Sequence, residues 1–291
     1  MVGGETFDRV TMLRRRADVP PAPSREPLRL STSNAAIGSI ERSLAERIAG
    51  AGLPLAPDKT HAGWKVTGAA DASLDAIARW LDRQRLCSRW RGELLDVVDT
   101  EGRNVARIER AAVRALGIAT CAVHLVGRSR DGGWWIQQRA HDKSVDPGRW
   151  DTLMGGLVTA GEALADTLLR ETDEEAGLAV ADLESLQRAD RITVRRPVDD
   201  GYMVEHIEVH EAVVPPALVP ANRDGEVERF ECVSTATLLE RLAADAFTLE
   251  AALILVGALE RRGFVGAPGG EALDGDAPGR RAPDGGAPLR T

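Results

Sequence analysis

Three acids, Glu171, Glu174 and Glu175, stand at i, i+3 and i+4 in the run LLRETDEEAGL. At about 100° per residue this spacing gathers them on one face of a helix. Gly177 is placed to end that helix in a left-handed conformation. Thr159 and Glu162 have capping-box spacing, which predicts a start near Gly161. Ala165, Leu169, Thr172 and Ala176 fall beside the acids on the face expected to pack. Like charges at these separations repel, and acids in the last turns oppose the helix dipole, so a purely structural helix gains nothing from them. Arg170 offsets part of the repulsion, and a divalent cation would offset far more. Hard oxygen ligands suit Mg²⁺ or Mn²⁺, which bridge to phosphate oxygens. The pair Gly155-Gly156 lets backbone approach such a metal. The plain alternative is a solvated, acid-rich helix end, and the glycine spacing argues against it.

The elements that must position these acids fall into two groups along the 291 residues. Residues 1–27 are charged and Pro-rich without periodicity, and 264–291 are low-complexity Gly/Ala/Pro/Asp, so both are expected as disordered tails. Between them, residues 28–115 read as a small α+β domain. It has a helix over 35–49 with Ile37, Ile40, Leu44 and Ile48 on one face, a strand near 64–67, a helix over 71–86, and a hairpin of 94–98 with 105–108. Residues 116–263 read as a second α/β domain with strands at 120–126, 134–138, 186–194 and 202–213 and helices at 235–243 and 248–262.

Composition excludes several classes. A net charge of −8 argues against a nucleic-acid partner. No apolar run is long enough to span a bilayer, and the N-terminus has no signal-type apolar region, so a cytoplasmic location and no membrane partner are expected. Cys87, Cys121 and Cys232 lie far apart and form no CxxC pair, which predicts free thiols.

The stretch GGLVTAGEALADTLLRETDEEAGL resembles the signature of the Nudix family, G-x5-E-x7-R-E-U-x-E-E-x-G-U. Gly156, Glu162, Arg170, Glu171, Glu174, Glu175, Gly177 and Leu178 are in place, and Thr172 stands where a bulky apolar residue belongs. The resemblance implies an α/β/α sandwich around a mixed sheet. It makes Glu171, Glu174 and Glu175 metal ligands or the base acting on water, with the Gly156 carbonyl as a further ligand, Glu162 orienting the loop and Arg170 holding the glutamates. The run Gln138-Arg139, Lys143, Pro147-Gly148, Trp150-Asp151 is similar to that of Nudix proteins related to isopentenyl diphosphate isomerase, which makes Arg139, Lys143 and Asp151 substrate-binding candidates. That isomerase chemistry needs a cysteine in the segment before the signature, and residues 150–154 have none. RWRGELLDV and IERAAVRALGI resemble the domain that precedes the Nudix fold in fungal and plant thiamine-diphosphate-related Nudix hydrolases.

Outside the signature, Glu226 in a polar turn is a candidate additional metal ligand. His206, Glu208 and His210 alternate on one strand and read as a solvated face. Trp134 and Trp135 read as split between core and edge. The expected activity is Mg²⁺- or Mn²⁺-dependent cleavage of a small organic diphosphate, with a damaged thiamine diphosphate as the substrate the resemblance implies. A nucleoside diphosphate derivative, or a non-catalytic nucleotide-binding role, are the alternatives. A homodimer is a further expectation.

Overall fold

The computed structural model describes residues 2–143 and 145–265. The chain opens with helix α1 (Val2–Ala17), followed by β1 (Arg25–Leu30), β2 (Ala36–Glu41), α2 (Arg42–Gly50), β3 (Leu55–Pro57), β4 (Trp64–Val66), α3 (Ala70–Arg83), β5 (Leu94–Val98) and β6 (Asn104–Glu109). Then come β7 (Ala119–Ser129), β8 (Trp134–Arg139), β9 (Trp150–Asp151), β10 (Met154–Leu157), α4 (Leu164–Ala176), β11 (Glu184–Val198), β12 (Gly201–Val214), β13 (Val227–Val233), α5 (Thr235–Ala243) and α6 (Leu249–Arg261).

The later strands form a mixed sheet of order β11-β12-β7-β8-β13, in which β12 and β7 run parallel and the other neighbours antiparallel. The alternation along β7 shows how this sheet becomes the middle layer of a sandwich. Ala122 and Val126 join the cluster containing Ile254, Leu255 and Leu259 of α6, whereas Val123 and Leu125 join Leu168 and Ala176 of α4. A mixed sheet between helices is the architecture the sequence predicts. The earlier segment builds its own apolar cluster from a β2-β1-β4-β3 sheet, α2, α3 and the β5-β6 hairpin, with Leu74, Ile77 and Leu81 of α3 fully enclosed. This lobe meets the sandwich beside the signature loop: Ala160 N donates to Leu94 O at 2.8 Å and Gly161 N to Asp96 Oδ2 at 2.8 Å.

Several expectations are corrected. Residues 2–17 are a helix rather than a tail: Val10, Leu13 and Ala17 are buried in the same cluster as α6, and Arg14 pairs with Glu260 at 2.7 Å. Strand β1 likewise begins inside the segment read as tail. At the other end Val265 is buried, and the rest of that expected tail, 266–291, lies outside the described residues. The helix expected over 35–49 is a strand as far as Glu41, because its backbone completes an antiparallel ladder with β1, and Gly38 packs directly on the carbonyls of Leu116 and Gly117. Helix α4 starts at Leu164, since Gly161 has φ of +79° and the Thr159–Glu162 hydrogen bonds close a loop ahead of it. Its packed face holds Thr167, Leu168, Thr172, Glu175 and Ala176, while Leu169 is 52% exposed.

Thr172 is fully enclosed and its hydroxyl has no hydrogen-bond partner. Replacing that hydroxyl by a methyl of similar shape removes an unsatisfied buried group, so Thr172→Val is expected to raise stability by about 1 kcal/mol. Denaturant titration reads this as a higher midpoint with an unaltered slope, and a lowered midpoint would contradict it.

Candidate active site

Helix α4 presents its acids in two directions. Arg170 grips Glu162 with both arms of its guanidinium, Nε to Oε1 and Nη2 to Oε2 at 2.9 Å each, and spans with Nη1 to Glu171 Oε1 at 2.8 Å and Glu174 Oε2 at 3.0 Å. This fork holds the Glu162 carboxyl down at about 2 and ties the loop before the helix to its middle turn. Glu174 stays on the outer side, with its side chain 47% exposed.

Glu175 points the other way and is 3% exposed. Its Oε2 accepts from Gln137 Nε2 and from the Gly155 backbone N–H, each at 3.0 Å, and Oε1 has no partner among the described residues. Burial pushes this carboxyl up to about 8, and it also pushes Glu171 upward. Gly156 is pressed against Glu171: a Cβ there would overlap its carboxyl. A Cβ on Gly155 would overlap the ring of His124, which burial keeps neutral and whose Nδ1 lies 2.9 Å from Thr152 Oγ1. The backbone of β10 can therefore approach the acids only because both residues lack side chains.

Glu171, Glu175, Gly155 and Gly156 line a cleft of about 180 Å³ together with Arg139, Lys143, Asp151 and Glu226. Lys143 pairs with Glu226 and, against the effect of burial, holds that carboxyl below its usual range. Asp151 accepts from Thr152 N at 2.8 Å and lies 3.5 Å from Arg139. The structure thus brings together the residues picked from the sequence, with Glu174 and Arg170 behind the rim rather than on the lining. Glu162 stands with them, and Gly177 ends α4 at φ of +63°. His206 bonds Thr193 and Glu208 pairs with Arg188, both away from the cleft, and Trp134 is core.

Sequence reasoning did not find Arg110, Arg114, Arg196, Glu205 and Glu250, which also line the cleft. Arg110 and Arg114 stand one helical turn apart in IERAAVRALGI, and Glu205 interrupts an apolar alternation on β12, so traces of each were present. Beyond them a cavity of about 570 Å³ opens between the lobe, which contributes Ser88, Arg89 and Val113, and the β11-β12 end of the sheet.

No group of three His, Cys, Asp or Glu among the described residues is already closed at metal-holding distance, because Arg170 draws Glu171 and Glu174, and Lys143 draws Glu226. The donor set nonetheless suits a hard divalent cation: Glu171, Glu175 and Glu226 each keep one carboxylate oxygen free of hydrogen bonds within a narrow cleft, and two of the three are raised by burial as uncompensated anions are.

A mixed sheet between helices, carrying carboxylates on one helix opposite a glycine strand, defines an α/β protein with an acid-lined cleft at one edge of the helix. The chain matches the NUDIX domain over residues 117–253. It is 32% identical over 170 residues to Nudix hydrolase 20, chloroplastic, of Arabidopsis thaliana, covering 54% of this chain and 43% of that one. It is 36% identical over 86 residues to an uncharacterized Nudix hydrolase of Pseudomonas aeruginosa, covering 30% and 51%. The chain therefore spans about half the length of the curated relatives it matches. Among solved structures, DR0079 from Deinococcus radiodurans aligns with a TM-score of 0.47 and 24% identity, covering 56% of this chain and 98% of that one. No helix among the described residues is long and apolar enough to cross a membrane.

Proposed function

We propose that this chain is a Mg²⁺- or Mn²⁺-dependent hydrolase of a small organic diphosphate, releasing the organic monophosphate and inorganic phosphate. The observation that carries the reading is the convergence of Glu171, Glu175, Glu226 and the Gly156 backbone on one cleft that continues into a larger cavity under the lobe. Glu171, Glu226 and the Gly156 carbonyl would hold the cation, which when bound polarises phosphate and lowers the pKa of water. Glu175 Oε1, the oxygen left free by Gln137 and Gly155, takes the proton of the water that attacks phosphorus. The new bond joins the water oxygen to phosphorus, and the bridging P–O bond breaks toward the organic phosphate. Arg139 at the end of β8 and Lys143 in the loop that follows face the phosphates, and Asp151 holds Arg139 in place.

The lobe supplies specificity in this reading, because the signature itself recognises only cation and phosphate. Arg110 and Arg114 come from the lobe side and line both the cleft and the cavity. Arg110→Ala or Arg114→Ala is expected to raise KM about tenfold or more with a smaller change in kcat, since a charge-assisted hydrogen bond to the substrate is lost. Steady-state kinetics decide, and an unchanged KM in both variants would remove the lobe from recognition.

The substrate proposed is thiamine diphosphate or an oxidised form of it. Its support is the likeness of the lobe motifs RWRGELLDV and IERAAVRALGI to the domain that precedes the Nudix fold in thiamine-diphosphate-related Nudix hydrolases. The experiment is a screen of the protein with Mg²⁺ against thiamine diphosphate, its oxo and oxy analogues, ADP-ribose, dinucleotides and nucleoside triphosphates, compared by kcat/KM. A tenfold preference for nucleotides would overturn the thiamine assignment, and absence of turnover on all of them would overturn the hydrolase.

A further inference from the structure

The face of β12 that packs beneath α6 carries Met203, Glu205, Ile207 and Val209 at every second position, and all but Glu205 belong to the apolar core. In register, Glu205 lies between Val194 of β11 and Thr120 of β7. Its carboxyl accepts one hydrogen bond, from Thr120 Oγ1 at 3.3 Å. Burial, and then the nearby Glu250, push it up to about 7. Glu250 sits in the first turn of α6; its Oε1 is enclosed without a hydrogen bond, and the nearest cation is Arg196 Nη2 at 3.8 Å. The Nε of Arg196 is likewise enclosed and unpartnered.

A position chosen for packing alone would carry a residue like its neighbours Met203 and Ile207. A half-buried carboxyl with one long hydrogen bond, set among apolar neighbours, costs the fold more than an apolar side chain there would. The cost is intelligible if a bound molecule completes the hydrogen bonding. Both acids line the 180 Å³ cleft, and Glu205 also lines the 570 Å³ cavity, so it stands where the phosphate end of the space gives way to the organic end.

We propose that Glu205, backed by Glu250, is the specificity-determining contact for the organic half of the substrate, and that it pairs through two hydrogen bonds with the edge of an amino-substituted nitrogen heterocycle. An exocyclic amine beside a ring nitrogen that carries a proton presents two donors to the two oxygens of a carboxylate, whereas the oxo counterpart presents one donor and one acceptor, and a glutamine amide offers only one acceptor. A simple ammonium group is the poorer candidate, because Arg110, Arg114 and Arg196 line the same space. The inference rests on the diphosphate hydrolase reading above and names the substrate class within it.

The test uses pairs of diphosphates that differ only in replacing the amine by oxygen: thiamine diphosphate against oxythiamine diphosphate, and ADP against IDP. The protein is expected to favour the amino member of at least one pair by about tenfold or more in kcat/KM. Glu205→Gln should erase that ratio, and Glu250→Gln should reduce it. A residue that merely supports the fold would depress both members alike. An amino-to-oxo ratio near one in the unmodified protein, or a ratio left intact in both variants, would overturn the assignment. Calorimetric Kd values for two monophosphate pairs, thiamine against oxythiamine monophosphate and AMP against IMP, which need no turnover, report the same ratios, and the assignment requires a preference in at least one. Absence of hydrolysis would thus defeat the hydrolase reading alone, and equal Kd values within both pairs would defeat the Glu205 assignment alone.

Discussion

Glu175→Gln is expected to lower kcat for diphosphate hydrolysis by about 10²- to 10⁴-fold, the range for loss of a positioned general base. The same substitution should stabilise the metal-free protein at alkaline pH. The buried carboxyl titrates at about 8 in the fold and in the ordinary carboxylate range, about 4.3, when unfolded. Between those values the folded state binds more protons than the unfolded one, so stability falls as pH rises through that window and is fully present only below it. The amide cannot ionise, so the variant escapes this loss, with a gain of up to a few kcal/mol at pH 8 and above and none near pH 4. Denaturant melts in excess chelator across pH 5 to 8.5, beside kcat with Mg²⁺ restored, check both halves. Full activity in the variant, or a stability difference that does not grow with pH, would remove Glu175 from the role given to it.

Gly156→Ala is expected to cost about 10²-fold or more in kcat/KM, since displacement of a catalytic group by an ångström suffices for that. The added methyl would occupy the place of the Glu171 carboxyl, which lies at the end of a flexible side chain and can swing away, so the fold should survive while the cleft loses its acid. Gly155→Ala makes the contrast. There the methyl meets the enclosed ring of His124, and the expected result is destabilisation of about 1–3 kcal/mol from overpacking. Thermal melts and kinetics on the two variants separate the effects. Equal activity losses with equal stability losses would mean that the strand serves only packing.

The acid-bearing helix was legible because its information is local. The spacing of Glu171, Glu174, Glu175 and Gly177 fixes a face and an end whatever surrounds it, and β7, β8, β11, β12, α5 and α6 were legible through their alternation and apolar periodicity, whereas the short strands β9 and β10 and the polar-flanked β13 were not. What failed was also local, but ambiguous. Ile37, Ile40, Leu44 and Ile48 fit a helical face, yet the first two are buried by strand pairing, and only the partner strand decides between these outcomes. Leu168 packs where Leu169 is expected to, because the helix is seated with its buried face turned toward Glu175 and away from Leu169. In the first segment Val10, Leu13 and Ala17 have helical spacing, but the flanking glycines, arginines and prolines masked it. The cleft wall formed by Arg110, Glu205 and Glu250 could not be read, since those residues lie in three separate parts of the chain and meet only after the lobe docks.

The first helix of the chain belongs to the last one. Arg9 reaches the Leu242 carbonyl across 233 positions and Arg14 reaches Glu260 across 246, with the whole lobe made in between. During synthesis the apolar stripe Val10, Leu13, Ala17 emerges well before β11 and α6, the elements that cover it. The lobe, holding its own core, can condense in the interval, whereas closure of the sandwich waits on contacts of very high sequence separation, the kind that makes folding slow and leaves nascent chains prone to association. Helix α1 is thus made long before α6, its main partner, and is among the last elements to be seated.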